Sequence, residues 1–203
     1  MKKKELELFL EKVDNFSSPK PWLEQYKTPS SIAADLLFIA YGFHDIAGKQ
    51  VMDIGCGTGI FAMGAALLGA EKNIGVDVDQ QSIEQADRVA KKNHLDIDFR
   101  CSDVSLISES VDTVLMNPPF GAQKKNIHAD RIFIEKATSI ATVTYSLHLE
   151  NTIPFIEKLL KALNTKGTVI STYQFPLPAQ FPFHSKLKDS VNVSLLRISA
   201  DHS

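Results

Sequence analysis

The chain has 203 residues, with 22 Lys+Arg against 24 Asp+Glu and a formal net charge of −2. At about 150 residues per domain this is one domain or one with a short extension, and it buries about 70% of its unfolded surface without a disulfide or metal staple. An apolar content of 44% and a charged content of 23% exclude a disordered tail, a collagen-like chain and a coiled-coil rod. The even charge balance also excludes a protein that coats nucleic acid by charge alone.

Residues 2–15 read as the first helix, with Leu6, Phe9, Leu10 and Val13 at i, i+3, i+4 and i+7. The chain starts with lysines, but Glu5, Glu7 and Glu11 interrupt its apolar residues, which marks an amphipathic helix and not a signal peptide. Residues 16–29 carry Pro19, Pro21 and Pro29 and read as an extended arm. A second helix follows over 30–41, with Ser30 or Ser31 as its cap. Residues 50–54 form a short apolar strand ending in a glycine loop, and 60–68 an apolar helix. The longest nearly apolar run, 60–70, has 11 residues. A membrane span needs about 20. Then come a strand at 73–78, an amphipathic helix at 80–93 opened by Asp79, and strands at 97–101 and 111–116. A helix at 130–140 leads into a β-branched strand at 141–146. A last helix, 152–163, is expected to end near Gly167, and strands at 168–174 and 191–198 bracket a turn-rich stretch at 176–184.

Strands alternating with helices predict a parallel sheet covered on both faces. The last two strands have no helix between them, so the final strand should be antiparallel. The fold class is therefore α/β and Rossmann-like, with a seven-stranded, mostly parallel sheet. Cys56 and Cys101 are the two cysteines, 45 residues apart. They lack the spacing of zinc ligands and point to reduced thiols in a cytosolic, cytoplasmic setting.

The segment Asp53-Ile54-Gly55-Cys56-Gly57-Thr58-Gly59 follows a strand and opens a helix. Glycines there allow a sharp turn and close backbone approach to a ligand. Asp77 ends the next strand, where an acid can accept hydrogen bonds from both ribose hydroxyls of an adenosine group. A dinucleotide fingerprint would need its third glycine one position later, where this chain has Ile60. Asp53 stands two residues before the first glycine, and a carboxylate there can meet an ammonium group. S-adenosylmethionine carries an ammonium and no phosphate. The loop resembles that of seven-strand class I methyltransferases, in which an acid such as Asp103 at the end of the third strand accepts the adenine amino group and the next residue, Val104, offers its backbone N–H. Asp103 reads equally well as a turn cap.

Asn117-Pro118-Pro119-Phe120 lies directly after the fourth strand. Two prolines impose a stiff extended segment that cannot continue a ladder. The position suits a ligand site, beyond the carboxyl ends of the strands. The segment resembles the D/N-P-P-F/Y loop of amino methyltransferases. An exocyclic amine has a delocalised lone pair, so a general base helps little. The useful device is geometric: the Asn117 side-chain oxygen and the Pro118 carbonyl each accept one N–H bond and aim the nitrogen at the methyl group. Phe120 would stack on the planar target, which must be flipped out or unpaired.

A closer resemblance rests on Leu23-Glu24-Gln25-Tyr26-x-Thr28, on Asn117-Pro118-Pro119-Phe120-Gly121, on Tyr145-Ser146-Leu147-His148, and on Leu177-Pro178-Ala179 with Phe183-His184. Together they resemble the methyltransferase-like protein 5 family of ribosomal-RNA adenine-N6 methyltransferases, over nearly the whole chain. The resemblance implies one methyltransferase domain over 1–203, with 1–48 as N-terminal helices and a cofactor-covering arm, and 49–203 as the α/β core. Gln25 and Thr28 would fold over the methionine end of the cofactor, with Tyr26 near the target base. Gly55, Gly57, Thr58 and Ile60 would line the cofactor beside Asp77, Asp103, Val104 and Asn117. The implied substrate is small-subunit rRNA. The implied partner is a small zinc-binding activator subunit, paired along an edge of the sheet.

His148 could contact phosphate or base, or be a satisfied histidine near the core. The basic clusters at 124–131 and 184–188 read either as solvated loops or as phosphate contacts. Other readings of the same motifs are a glutamine-amide methyltransferase, which typically has tyrosine in place of Phe120, a DNA methyltransferase, which needs an added recognition domain, and a non-catalytic cofactor-binding subunit.

Overall fold

The computed structural model describes residues 1–121, 129–177 and 189–200. Helix α1 (Lys3–Glu11) starts where the Glu5 carboxylate accepts the Lys2 backbone N–H at 2.8 Å. It buries Leu6 and Leu10, and Val13 is buried just beyond its end. It ends at Glu11, short of the expected residue 15, and just beyond it the Asn15 side chain accepts the Phe16 N–H, a local hydrogen bond that competes with helix. Helix α2 (Ser30–Gly42) is capped by neither serine: Pro29 holds the cap position, its carbonyl accepts the Ala33 N–H at 2.9 Å, and Ser30 is already helical. The ring presets φ for the entry to the helix.

Strand β1 (Gln50–Ile54), helix α3 (Ile60–Leu67), strand β2 (Lys72–Asp77), helix α4 (Gln80–Lys92), strand β3 (Asp98–Cys101) and strand β4 (Val111–Met116) follow as alternation predicts. Helix α5 (Ala129–Ile140) leads directly into strand β5 (Ala141–Leu149), and helix α6 (Ile153–Ala162) into the hairpin of β6 (Thr165–Leu177) and β7 (Asp189–Ala200). The sheet order is β3-β2-β1-β4-β5-β7-β6, and β7 runs antiparallel to both its neighbours. Several boundaries depart from expectation. Strand β5 runs three residues past Ser146 because β7 pairs it as far as Leu149↔Val193. The hairpin strands are longer at both ends because each residue gains a ladder partner from the other. The α6 turn is made at Asn164, whose φ of 53° is left-handed, while Gly167 lies inside β6. Asparagine tolerates that conformation better than most residues. Pro176 is accommodated in β6 because β6 is an edge strand. The rest of the expected turn at 176–184 lies outside the described residues, as do most of both basic clusters.

Two apolar clusters sandwich the sheet. Helices α1, α2 and α3 contribute Leu6, Leu10, Leu37, Phe61 and Met63 on one face. Helices α5 and α6 contribute Ile134, Ala137, Ile156 and Leu160 on the other. Strand β1 is buried on both faces from Val51 to Ile54, as a central parallel strand must be. Strand order reverses between β1 and β4, and the register there pairs Ile54 with Met116. The glycine loop and the Asn117 segment therefore leave the sheet side by side, at the crevice where open α/β sheets bind ligands. Among the described residues no helix is long and apolar enough to cross a membrane.

A Cβ on Gly64 would lie 2.2 Å from Leu37 Cδ1, in the closely packed α2–α3 contact. Gly64→Val should therefore lower stability by about 1–3 kcal/mol, measured as a reduced urea midpoint with an unchanged slope.

Candidate active site

A cavity of about 290 Å³ opens at the carboxyl ends of β1, β2 and β4. Gln25, Tyr26, Gly55, Gly57, Asp77, Asp103, Val104, Asn117 and Pro119 line it. A smaller lobe shares Tyr26, Gly55, Gly57 and Asn117 and adds Thr28, Thr58 and Ile60. The residues singled out in the sequence are thus brought together, apart from Asp53, Pro118 and Phe120, which sit behind the wall.

Gly55, Gly57 and Gly59 have φ of 69°, 51° and 80°, so the loop is left-handed at every second residue and closes to side chains. A Cβ on Gly57 would meet the Phe16 ring at 2.6 Å, because the arm lies against the loop. Asp53 is 1% exposed. Its Oδ2 accepts the Ala62 N–H at 3.1 Å, and its Oδ1 is buried with no hydrogen-bond partner. Burial is the largest cause pushing its carboxyl up to about 8. The nearby Asp77 charge adds to this, and the Ala62 and Phe61 N–H groups oppose it.

Asp77 Oδ2 accepts the Gly57 N–H and Oδ1 the Asp79 N–H, both at 2.8 Å. These bonds orient the carboxylate while each oxygen keeps a lone pair for a further donor. Burial is the largest cause raising its pKa, the Asp79 charge adds to it, and the Asp79, Gly57 and Val78 N–H groups limit the rise. Asp103 caps the turn Val104–Leu106, accepting from Ser105 N at 2.8 Å and Ser105 Oγ at 2.6 Å, which lowers its pKa. It therefore serves as a turn cap and also faces the cavity. The Gln25 amide donates to Asp79 Oδ2 at 2.7 Å and its oxygen accepts the Lys20 N–H at 2.8 Å. Asp79 also takes bonds from Lys20, Ser82 and the Gln81 N–H. Burial opposes this donor set, which outweighs it and holds the Asp79 carboxyl down at about 2. This carboxylate staples the arm over the cavity through Lys20 and Gln25, and the Gln85 side-chain oxygen accepts the Ser17 N–H as a further tie.

Asn117 Nδ2 donates to Thr28 Oγ1 at 3.0 Å. Its Oδ1 is buried and has no hydrogen-bond partner. Phe120, 9% exposed, packs its ring 5.2 Å from Tyr26 and 5.6 Å from Phe175. Burial is the largest cause raising the Tyr26 hydroxyl well above its usual range, with the Glu24 and Asp130 charges adding to it. His148 is fully buried and bonded at both ring nitrogens, so it is a satisfied core histidine. Tyr145 does not lie at the crevice: it points into the α1–α3 face and donates to Asp45 at 2.7 Å.

Phe16, Ile132 and Phe133 on the walls, and Asp79 behind them, were not legible as site residues. Asp79 carried only a helix-opening signal, and the aromatic walls are supplied by the arm and α5 through tertiary packing alone. Among the described residues no group of three or more His, Cys, Asp or Glu is placed to hold a metal ion.

Residues 33–176 match the methyltransferase small domain family. With the sheet order and the glycine loop, this defines a class I S-adenosylmethionine-dependent methyltransferase. The rRNA N(6)-adenosine-methyltransferase METTL5 of Danio rerio is 39% identical over 98% of this chain and 99% of its own. An uncharacterized protein of Methanocaldococcus jannaschii, MJ0284, is 40% identical over 98% of this chain and 94% of its own. The crystal structure of PH1948 from Pyrococcus horikoshii superposes with a TM-score of 0.90 at 41% identity, over 98% of both chains. The chain belongs to the METTL5 family.

The raised Asp53 carboxyl has a stability consequence. A carboxyl raised from 3.8 to about 8 binds more protons folded than unfolded across that window, so stability falls as pH rises through it. Asp53→Asn keeps the acceptor for Ala62 and removes the titration. Scanning calorimetry from pH 5 to pH 8 should show the wild type losing Tm relative to the variant, by about 2–4 °C per kcal/mol at this length. Parallel Tm profiles would refute the buried ionisation.

Proposed function

We propose that the protein transfers a methyl group from S-adenosylmethionine to the N6 amine of an adenine in small-subunit ribosomal RNA. The observation that carries this reading is Asn117 Oδ1, a buried acceptor without a partner, beside Pro119 on the cavity wall. A buried acceptor left unbonded costs free energy, and a planar N–H donor entering the cavity recovers it. The Thr28 hydroxyl holds the amide from behind, which directs the oxygen to its task. The full-length likeness to a protein named as an rRNA N(6)-adenosine-methyltransferase supports adenine in rRNA as the target.

The cavity residues suit the cofactor. Asp77 keeps free lone pairs for ribose hydroxyls, Asp103 and Val104 stand at the adenine end, and Gln25 and Thr28 cover the methionine end. Gly55, Gly57, Thr58 and Ile60 supply a close backbone wall. Asp53 Oδ1, buried without a partner, suits an ammonium group reached directly or through water. The bound cofactor supplies an electrophilic methyl on a sulfonium, which leaves without an acid. The chain's own work is positioning: Asn117 Oδ1 and the Pro118 carbonyl each accept one hydrogen bond from the amine, and the proton that the methylated nitrogen must lose is released to solvent. Tyr26 keeps its proton and serves as a neutral wall, and Phe120 braces it. We further propose a small zinc-binding activator subunit as partner, docked along a sheet edge, of which β3 and β6 are the two. A net charge of −2 supports a partner that adds RNA contacts.

Purified protein with labelled cofactor and total rRNA, with and without activator, should place label in N6-methyladenosine after digestion and mass spectrometry. Label in another nucleoside or in protein would overturn the acceptor assignment. Asn117→Ala should abolish transfer and leave the fold intact. Asp77→Ala should weaken cofactor binding by about 2–3 kcal/mol through loss of charge-assisted bonds, read by calorimetry.

A further inference from the structure

His148 is a buried, titratable side chain for which the proposed chemistry has no use. It is fully enclosed, yet neither ring nitrogen is idle. Nδ1 lies 2.7 Å from Asp130 Oδ1, and Nε2 lies 2.6 Å from Ser146 Oγ. With a proton on Nδ1 the ring donates to the carboxylate, and the serine hydroxyl is free to donate to Nε2. Ser146 is also fully buried, and the Asp130 side chain is 15% exposed. Among the described residues, none of the three lines the cavity of the site, and the proposed chemistry assigns the Ser–His–Asp line no nucleophile.

Its placement is informative. Ser146 is the register partner of Met116, the residue directly before Asn117. Two residues on, His148 lies just past the last partner pair of β4 and β5 and on the same sheet face as Ser146. Asp130 lies in the first turn of α5, the element that follows the acceptor segment in the chain. The same turn of helix carries Ile132 and Phe133 into the cavity wall, where the Phe133 ring would lie 3.0 Å from a Cβ on Gly55. The Asp130 charge is also close enough to the Tyr26 hydroxyl to raise its pKa.

We propose that the Asp130–His148–Ser146 chain is a strut that locks the start of α5 to the end of β5 and thereby holds the acceptor wall in register with Asn117. His148 is then a positioning residue for methyl transfer, acting through Asp130 and touching no substrate. This rests on the adenine-N6 reading above. The groups that would hold the cofactor sit mainly on loops after β1, β2 and β3, so the strut should matter more for turnover than for cofactor affinity.

The test compares wild type with His148→Ala, His148→Gln, Asp130→Ala and the double variant His148→Ala/Asp130→Ala. Hydrogen exchange read by mass spectrometry should show protection lost at the start of α5 and kept in α3 and α4. Calorimetry with S-adenosylhomocysteine should give a Kd within about threefold of wild type, while kcat on rRNA falls on the order of tenfold to a hundredfold. The double variant should lose no more kcat than either single variant. Unchanged protection in α5, unchanged kcat, or equal losses of kcat and cofactor affinity would each overturn the strut. If Ala variants fail to fold, His148→Gln, which keeps one of the two bonds, carries the same readouts. If wild type methylates no adenine, the activity reading fails while the exchange measurement still decides whether the strut exists.

Discussion

Ile54 lies beside Met116 in the sheet, and the rest of the site follows from that pairing. Both residues end central parallel strands, and the chain leaves each in a conformation that no ladder can continue. After Ile54 the left-handed glycines turn the backbone into α3. After Met116 the two prolines keep it extended. Sheet order reverses between these strands, so no crossover helix covers their carboxyl ends and the crevice between the two loops stays open. A one-residue slip of register would turn Asn117 to the opposite face.

Unsatisfied polar groups line the cavity built on that pairing or lie just behind its wall. Asp53 Oδ1 and Asn117 Oδ1 are both buried without partners, and Asp77 has its orientation fixed by two backbone donors. Such groups lower the stability of the unliganded protein. They make sense where a ligand brings donors. An ammonium, a pair of ribose hydroxyls and an exocyclic amine are donors of that kind. The compensation lies in the surrounding packing: apolar helices on both faces, an arm stapled by Asp79, and an aromatic trio of Tyr26, Phe120 and Phe175 behind the acceptor wall.

Much of this was readable from the chain. Alternation of strands and helices, and the missing helix between the last two strands, predicted both the mostly parallel sheet and its antiparallel member. The glycine loop, Asp77, Asp103 and the Asn117 segment stood out because their residue types are unusual in a plain strand or helix and their spacing matches one chemistry. Less legible was how each behaves once packed. Phe120 is drawn into the aromatic trio and kept off the cavity surface. Gln25 is held by Asp79, 54 residues away. Asp103 spends hydrogen bonds on its own turn. Tyr145 is turned from the crevice by Asp45 and Arg197, on segments no local pattern connects.

Local chemistry alone determined the element types, the loop that could face a cofactor and the segment that could accept an amine, because φ preferences, side-chain periodicity and donor–acceptor inventory are properties of neighbouring residues. Contacts across the fold decided the strand register, the closure of the arm through Lys20, Gln25 and Asp79, the raised carboxyl of Asp53 and the buried line from Asp130 through His148 to Ser146. Each of these depends on burial or on a partner far along the chain, and both exist only once the helices have packed against the sheet.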